Sequence, residues 1–365
     1  MSFSAADHAF MARALQLAQR GLYTTTPNPR VGCVIVRNDL VIGEAWHEKA
    51  GLPHAEAGAL GAIVGAGDTA IGATAYVTLE PCSHFGRTGP CADALIEAGI
   101  VRVVAAMPDP NPLVAGKGLA RLAAAGIEVA SGLLEAEARE LNIGFVSRMA
   151  RGRPWLRLKV AASLDGKTAL NNGVSQWITG PAARRDAHAW RARSCAVLTG
   201  IGTVRDDNPR LTVREVQTSR QPLKVVIDSR LETPLDAAVL DGGNVLIAAA
   251  QGDPARGAAL RERGAEIVML PNAHGKVDLA GLLQELGRRG INEVLAEAGT
   301  RLNGSLLSED CVDELLIYQA PILLGDAARG MFGLAELADL AAARHLNIIE
   351  RRAVGVDFRI RARLA

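Results

Sequence analysis

Apolar and polar positions alternate along the chain with periods that sort it into helices and strands. In residues 7–20, Phe10, Ala14, Leu17 and Ala18 recur at helical spacing, and Gly21 can end the helix. Residues 31–37 and 40–46 are β runs around Asn38-Asp39, a hairpin signal. A helix over 54–64, a strand over 73–79 and a short helix over 91–98 stopped by Gly99 follow. Then come a strand over 101–107 and helices over 118–125 and 135–149. The order α-β-β-α-β-α-β-α predicts a sheet covered by helices. The Gly-rich stretch 58–72 reads as a helix end and loop rather than a phosphate cradle, because it lacks the strand-then-G-x-G-x-x-G order.

Arg151-Gly152-Arg153-Pro154 interrupts this pattern, since a Gly and a Pro break the preceding helix. It divides the chain into domains 1–150 and 151–365, and a second α/β pattern starts beyond it. Strands are predicted over 155–162, 196–199, 223–228, 244–249, 266–270, 293–297 and 314–319. Helices are predicted near 182–193, 279–289 and 301–307. There is no internal repeat and no low-complexity tract.

Composition changes this picture in three ways. A chain of 365 residues with 49% apolar content supports two cores rather than one. The formal net charge of +1 gives no electrostatic case for gripping nucleic acid. Clusters such as Arg184-Arg185 and Arg351-Arg352 therefore read as solvated faces. The start lacks a basic stretch followed by an apolar one, and no run of 18 apolar residues occurs, so neither a signal peptide nor a membrane span is expected. Five Cys, an odd number in a long chain, argue against a disulfide framework. Cys33, Cys195 and Cys311 lie in apolar runs as buried thiols, which fits a reducing cytoplasm. Four Trp and several apolar runs are compatible with a subunit interface, and a homo-oligomer is expected.

The chemistry concentrates in His54-Ala55-Glu56, Pro81-Cys82 and Cys91. One His, two Cys and a nearby Glu that is not a ligand match the zinc-deaminase pattern H-x-E…P-C-x-x-C, except that eight residues separate the two Cys here. Three protein ligands leave a position for water, as catalytic zinc requires, whereas structural sites close with four. Cys33 sits mid-strand and is set aside as a fourth ligand. His54 and Glu56, two apart, do not share a face of a regular helix. Both can turn to one point only at the first turn after Pro53. Cys91 follows Pro90 at a helix start, where the helix dipole favours a thiolate.

At this point residues 1–149 resemble the deaminase half of the bifunctional riboflavin-biosynthesis deaminase–reductases. The resemblance rests on Thr26-Pro27-Asn28-Pro29 with Val31-Gly32-Cys33, on His47 with Gly51, and on His54-Ala55-Glu56. It rests further on the run from Thr78-Leu79-Glu80-Pro81-Cys82 to Pro90-Cys91, whose long inter-Cys loop marks the family. Asp109-Pro110-Asn111-Pro112 before Val114-Ala115-Gly116-Lys117-Gly118 completes it. The resemblance implies a cytidine-deaminase-like three-layer fold with zinc on His54, Cys82 and Cys91, and Glu56 as the proton shuttle. It implies a ribosylamino-pyrimidinone 5′-phosphate as substrate, contacted by Asn28, His47, Ser83, His84 and Arg87.

Residues 151–365 resemble the family's reductase half, through the runs 159–167, 175–179, Arg191-Ala192, 203–212, 226–229 and Glu297-Ala298-Gly299 with Leu302 and Asn303. This implies a dihydrofolate-reductase-like α/β fold using NADPH. The cofactor contacts implied are Ala161, Trp177, Thr203, Asp207, Ser229, Gly299, Thr300, Arg301, Leu302, Asn303, Gly304 and Ser305. The substrate contacts implied are Lys159, Ser175, Arg191, Leu211, Arg214 and Glu297, with Arg191 and Arg214 as phosphate clamps. Lys159, at a strand end, is a candidate proton donor, and Arg230 a candidate reader of the cofactor's 2′-phosphate. From the residues alone, a strand followed by Gly and a helix start at 297–305 can hold a phosphate, but a simple cap is the commoner reading. Two other functions compete: a nucleic-acid or free-nucleoside deaminase with an accessory domain, and a zinc-stabilised scaffold without turnover. The first is disfavoured by the neutral charge, the second by the open three-ligand set with Glu56.

Overall fold

The computed structural model describes residues 3–83, 89–112 and 114–364. The chain divides into two compact units, 1–152 and 153–365.

The first unit runs α1 (Ala5–Gln19), β1 (Gly32–Arg37), β2 (Leu40–Trp46), α2 (Ala55–Gly65), β3 (Thr74–Val77), α3 (Cys91–Glu97), β4 (Arg102–Ala105), α4 (Lys117–Ala124), β5 (Glu128–Ser131), α5 (Glu135–Leu141) and α6 (Ile143–Arg151). Its sheet has the order β2-β1-β3-β4-β5. β1 is antiparallel to β2 and β3, while β3, β4 and β5 are parallel. The hairpin turn holds Asn38 and Asp39 at φ 50° and 60°, the left-handed conformations a tight two-residue turn demands and these side chains tolerate. α1 packs on one face of the sheet and α2 on the other. The approach is close enough that a Cβ on Gly32 would stand 2.0 Å from the Ala14 carbonyl oxygen, and one on Gly43 2.6 Å from that of Ala59. Between the layers lies a continuous core that includes Met11, Val34, Ile35, Ile63, Tyr76, Leu95, Val104 and Leu122.

Two expectations change here. The helix expected over 135–149 is two helices, α5 and α6, broken at Asn142 (φ −105°, ψ 20°). The Asn142 side chain is buried and pairs in both directions with the backbone of Arg30, accepting from its N–H at 2.8 Å and donating to its carbonyl at 2.9 Å. That long-range bond outcompetes helix continuation, as short polar side chains do when the backbone offers them a partner. The strand β5, too short to show a period, closes the parallel side of the sheet.

The second unit runs β6 (Trp155–Ser163), β7 (Lys167–Ala169), α7 (Pro181–Arg193), β8 (Ala196–Gly200), α8 (Ile201–Asp207), β9 (Leu223–Ile227), β10 (Val245–Ala249), α9 (Pro254–Glu262), β11 (Ala265–Met269), α10 (Leu279–Arg288), β12 (Glu293–Ala296), α11 (Thr300–Ser308), β13 (Glu314–Ala320), β14 (Arg329–Gly330), β15 (Leu346–Val354) and β16 (Asp357–Leu364). Nine strands form one sheet in the order β11-β10-β9-β8-β12-β6-β13-β16-β15. The first seven are parallel, β16 is antiparallel to β13, and β15 is antiparallel to β16. Leu279, Leu282, Leu283 and Leu286 of α10 and Leu306 and Leu307 of α11 cover one face with Leu158, Leu198 and Val294. Ala183, Ala187 and Trp190 of α7 cover the other with Leu295, Leu316 and Tyr318. The sequence reading missed β7, β14, β15, β16, α8 and α9. Among the described residues, no helix is long and apolar enough to cross a membrane.

Candidate functional sites

In the first unit, His54 is the N-cap of α2, with extended φ −69° and ψ 162°, and Glu56 is in the first helical turn. This solves the spacing problem posed by two residues that share no helical face. Cys82 follows β3 in an irregular segment, and Cys91 opens α3 directly after its N-cap Pro90. The three donor atoms lie within 4.8 Å of one another. His54 Nδ1 is 3.3 Å from Cys91 Sγ and 3.7 Å from Cys82 Sγ, and the Cys91 N–H donates to Cys82 Sγ at 3.2 Å. Among the described residues no fourth His, Cys, Asp or Glu joins the group. One imidazole and two thiols converging on one point, with no fourth protein ligand, fit an open tetrahedral zinc site.

The electrostatics agree. The Cys82 thiol is pushed down, chiefly by the hydrogen bond from Cys91, then by His54 and the Cys91 amide, against the opposing effect of burial. The pair thus holds a thiolate, the form that binds metal. Glu56 is buried and its carboxyl is pushed up to about 7, first by burial and further by Cys82. Cys33, buried in β1, has its thiol pushed up by burial and by Glu56, and Cys33, Cys195 and Cys311 are all buried and in no disulfide.

Asn28 and His47 join this site. His47 Nδ1 lies 3.0 Å from the Pro53 carbonyl oxygen, its Nε2 is 3.0 Å from Asn28 Nδ2, and its ring meets that of His54 edge-on at 5.4 Å. Donation from Nδ1–H to the carbonyl leaves Nε2 to accept from Asn28. Burial lowers the His47 pKa, consistent with that neutral tautomer. Ser83 is half-buried beside Cys82, whereas His84 and Arg87 lie outside the described residues. Glu80, which the sequence reading treated only as part of a motif, is a buried carboxylate that receives several backbone N–H groups. The excess of turn residues at 109–118 could have signalled where those donors come from.

In the second unit the site gathers at the carboxyl ends of adjacent parallel strands. Glu297 follows β12 and takes a bidentate pair from Arg191 of α7, at 2.5 and 3.0 Å, while Lys159 Nζ is 3.7 Å away. Burial alone would raise the Glu297 pKa, but the charges of Arg191 and Lys159 overcome it and hold it at about 2. Lys159 lies mid-strand in β6, not at a strand end as expected, and burial lowers its pKa. Arg191, expected as a phosphate clamp, spends its guanidinium on Glu297 and on the Thr212 carbonyl. Arg214 is exposed, with one long contact to Thr212 Oγ1. Leu211 is buried at φ 55°.

Two helices open directly after the neighbouring strands β8 and β12, α8 at Gly200 and α11 at Gly299, and neither start carries a side-chain cap. Thr203 Oγ1 lies 3.9 Å from where a Cβ on Gly299 would be, so the two starts adjoin. Their unsatisfied N–H groups and dipole ends suit a dinucleotide's phosphates. The residues of 299–305 divide by role. Thr300 and Asn303 donate to the carbonyls of Gly330 and Met331, and a Cβ on Gly304 would meet the Gly333 carbonyl oxygen at 2.2 Å, so these three hold segment 330–333. Arg301 and Ser305 are exposed and Leu302 packs beside Gly200. Ser175 donates to Asp207 at 2.9 Å, and both line a cavity of about 450 Å³ with Asp206 and Arg329. Trp177 is exposed under the Arg184 guanidinium, Ala161 is half-buried in β6, and Ser229 follows β9.

Comparison with known proteins extends over the whole chain. Residues 4–107 match the cytidine and deoxycytidylate deaminase zinc-binding region, and residues 154–358 match the RibD C-terminal domain. The riboflavin biosynthesis protein RibD of Escherichia coli K12 is 50% identical over 96% of this chain and 97% of its own length. That of Haemophilus influenzae is 46% identical over 99% and 98%. Acinetobacter baumannii RibD superposes with a TM-score of 0.90 at 44% identity, covering 99% of both chains. A Thermotoga maritima diaminohydroxyphosphoribosylaminopyrimidine deaminase/5-amino-6-(5-phosphoribosylamino)uracil reductase does so with a TM-score of 0.87 at 33% identity, again covering 99% of both. With a zinc-binding deaminase-like unit followed by a dihydrofolate-reductase-like reductase unit, the chain belongs to the RibD family of bifunctional riboflavin-biosynthesis deaminase–reductases, enzymes that use zinc and NADPH.

Proposed function

We propose that the two clusters divide the two reactions, with His54, Cys82, Cys91 and Glu56 serving deamination and Lys159, Arg191 and Glu297 serving reduction. The observation that carries the first assignment is the open three-donor group beside a buried carboxyl with a pKa of about 7. His54, Cys82 and Cys91 would hold the zinc, which when bound supplies a Lewis acid that activates water near neutral pH. Glu56 takes a proton from the attacking water and returns it to the departing amine, so that C–O forms, C–N breaks and ammonia leaves. A carboxyl titrating near the working pH suits both halves of that task. Asn28, held through Nδ2 by His47, keeps its carbonyl oxygen for the pyrimidine or ribose. Ser83, His84 and Arg87 would supply donors to the ribose phosphate.

In the second unit, NADPH supplies the hydride that converts ribosyl to ribityl. The adjoining starts of α8 and α11 receive its phosphates, together with Thr203, Arg301, Leu302 and Ser305. Asp207, Ser229, Trp177 and Ala161 would add further contacts to it, and Thr300, Asn303 and Gly304 act by bracing segment 330–333. The ribose ring first opens, its aminal C–O bond breaking to an imine as the ring oxygen takes the nitrogen's proton. Hydride then adds to that carbon, and Lys159, whose ammonium burial makes more acidic, gives the nitrogen a proton, while Arg191 fixes the Glu297 carboxylate. Arg214 is the cation left for the substrate phosphate, with Ser175 and Leu211 shaping the pocket. The 2′-phosphate reader is Arg230. Asp228 before it is fully buried, with Oδ2 accepting from the N–H and hydroxyl of Thr233, so no carboxylate is left at this strand end for a bare 2′-hydroxyl. Exposed Arg230 and half-buried Ser229 stand there instead.

A second copy of the chain covers the β15 edge. That strand ends the sheet and exposes Leu346, Ile348 and Ile349, an apolar edge that soluble chains ordinarily protect. The reduced, buried thiols suit the cytoplasm. The division of labour is tested by mass spectrometry of the diamino-ribosylamino-pyrimidinone phosphate incubated with zinc-loaded protein. Amine-to-oxygen exchange is expected without NADPH, and a gain of two hydrogens only when it is added. Unchanged substrate in both incubations would overturn the assignment.

A further inference from the structure

We propose that Glu80 is a positioning residue for the deamination centre, anchoring the metal-ligand segment Pro81-Cys82 to the start of α4. Glu80 is 3% exposed, so its carboxylate has almost no water to solvate it. Its solvation comes instead from four backbone N–H groups. Oε2 accepts from Asp109 and Gly116, each at 2.9 Å, and Oε1 accepts from Gly118 at 2.8 Å and Leu119 at 3.3 Å. Gly118 and Leu119 lie in the first turn of α4, whose own N-cap, Gly116, has no side chain to offer. Glu80 is therefore the cap of α4, supplied from a distant segment, and its charge meets the positive end of that helix.

The same segment is keyed to α4 a second time. A Cβ on Gly118 would stand 1.9 Å from the Pro81 carbonyl oxygen, so the helix start rests directly on the peptide that precedes Cys82. The Glu80 N–H donates to Met107 at 2.9 Å, and the Cys82 carbonyl accepts from Ala92 at 3.1 Å. Cys82 is thus held on one side by α3 and on the other through Glu80. Neither the carboxylate nor Gly118 touches a donor atom of the metal group. Their action on it passes through the backbone of 80–82, as groups behind metal ligands commonly act.

This inference rests on the reading of His54, Cys82 and Cys91 as the zinc ligands, and the test separates the two. The full chain is compared with its Glu80→Gln, Glu80→Asp, Gly118→Ala and Cys82→Ser variants. Zinc affinity is measured by chelator competition, the cobalt-substituted visible spectrum by absorption, and reductase turnover serves as an internal check of the second unit. Glu80→Gln keeps the size but turns a donor toward N–H groups. It is expected to weaken zinc binding roughly 10- to 100-fold and shift the cobalt bands while reductase turnover stays unchanged. Glu80→Asp should fall between it and the parent. Gly118→Ala, which leaves the carboxylate intact, should shift the same bands by moving α4 off Pro81. Zinc affinity and cobalt bands at parental values in both Glu80→Gln and Gly118→Ala would overturn the positioning role. Should Glu80→Gln fail to fold, Glu80→Asp decides, and parental zinc affinity and cobalt bands in it would overturn the positioning role. Parental affinity and bands in Cys82→Ser would instead sink the ligand assignment itself.

Discussion

Glu56, buried, and Glu297, half-buried, lie at the centres of the two proposed sites, and they stand at opposite ends of the carboxyl range. Glu56 is pushed up to about 7, Glu297 held at about 2. Burial acts on both in the same direction. The difference is company: Glu297 has Arg191 at 2.5 Å and Lys159 at 3.7 Å, while Glu56 has thiols and the His54 imidazole around it. Without a paired cationic side chain, burial carries Glu56 upward, and the zinc proposed beside it would draw it back down, whereas Glu297 with two cationic side chains stays charged. On the proposed reading, one unit uses this side chain as a proton carrier and the other as a fixed anion.

The sharpest way to break this comparison is Glu56→Gln. Deamination should fall by about 10³-fold, within the range a general acid–base contributes, while zinc content and reduction of supplied intermediate persist. Deamination at the parental rate would remove the proton carrier from the argument. The fixed anion is tested by acid. Because the Glu297 pKa is depressed from 4.5 to about 2, its contribution to stability is present above pH 4.5 and is lost as pH falls toward 2. The amount is on the order of 3 kcal/mol. Trp155, Trp177 and Trp190 of the second unit report the unfolding, and Glu297→Gln should flatten the curve over that window. An unchanged slope would mean that Glu297 is not held as an anion. A smaller effect is expected at the cofactor. Arg230→Ala should weaken 2′,5′-ADP binding by calorimetry about 10-fold and leave 5′-AMP unaffected, and equal losses for both would remove the selectivity role. The smallest is His47→Gln, expected to raise the KM of deamination several-fold through Asn28, with kcat and reduction little changed. A kcat loss without a KM change would place His47 in the chemistry instead.

The first centre was legible because its donors sit in a short contiguous pattern. H-A-E after Pro53, P-C after a strand and a Cys after Pro90 each mark a helix start or a strand end, and these are the places where the structure has them. What failed was whatever depended on distant partners. Nothing local in 135–149 announces that Asn142 will bond the Arg30 backbone. Lys159 reads as a strand-end proton donor, and only the fold shows it mid-strand with Glu297, far along the chain, beside it. Arg191, read as a phosphate clamp, also has a carboxylate partner in Glu297 that no local pattern announces. β15 and β16 are rich in Arg, and most of their acidic partners come from other elements, Asp186 of α7 and Glu314 of β13. Arg359 pairs with Asp186 and Glu350, and Arg361 with Glu314, a network invisible to periodicity. Glu80 was read as a motif letter because its partners are backbone N–H groups, which have no residue identity.

The spacing of the first centre has a consequence for synthesis. Every donor and the proton carrier lie between His54 and Cys91, on a sheet complete by Ser131, whereas Lys159, Arg191 and Glu297 must wait for a strand near the end of the chain. A nascent polypeptide that has cleared the ribosome to the start of β6 already contains all it needs to capture zinc. The loops to be closed at that stage are short, and domains tend to fold as they emerge. Metal capture would then stabilise the leading half by mass action while the trailing half is still being translated. Zinc starvation would therefore be felt first as loss of a folding intermediate on the ribosome, before it is felt as loss of turnover.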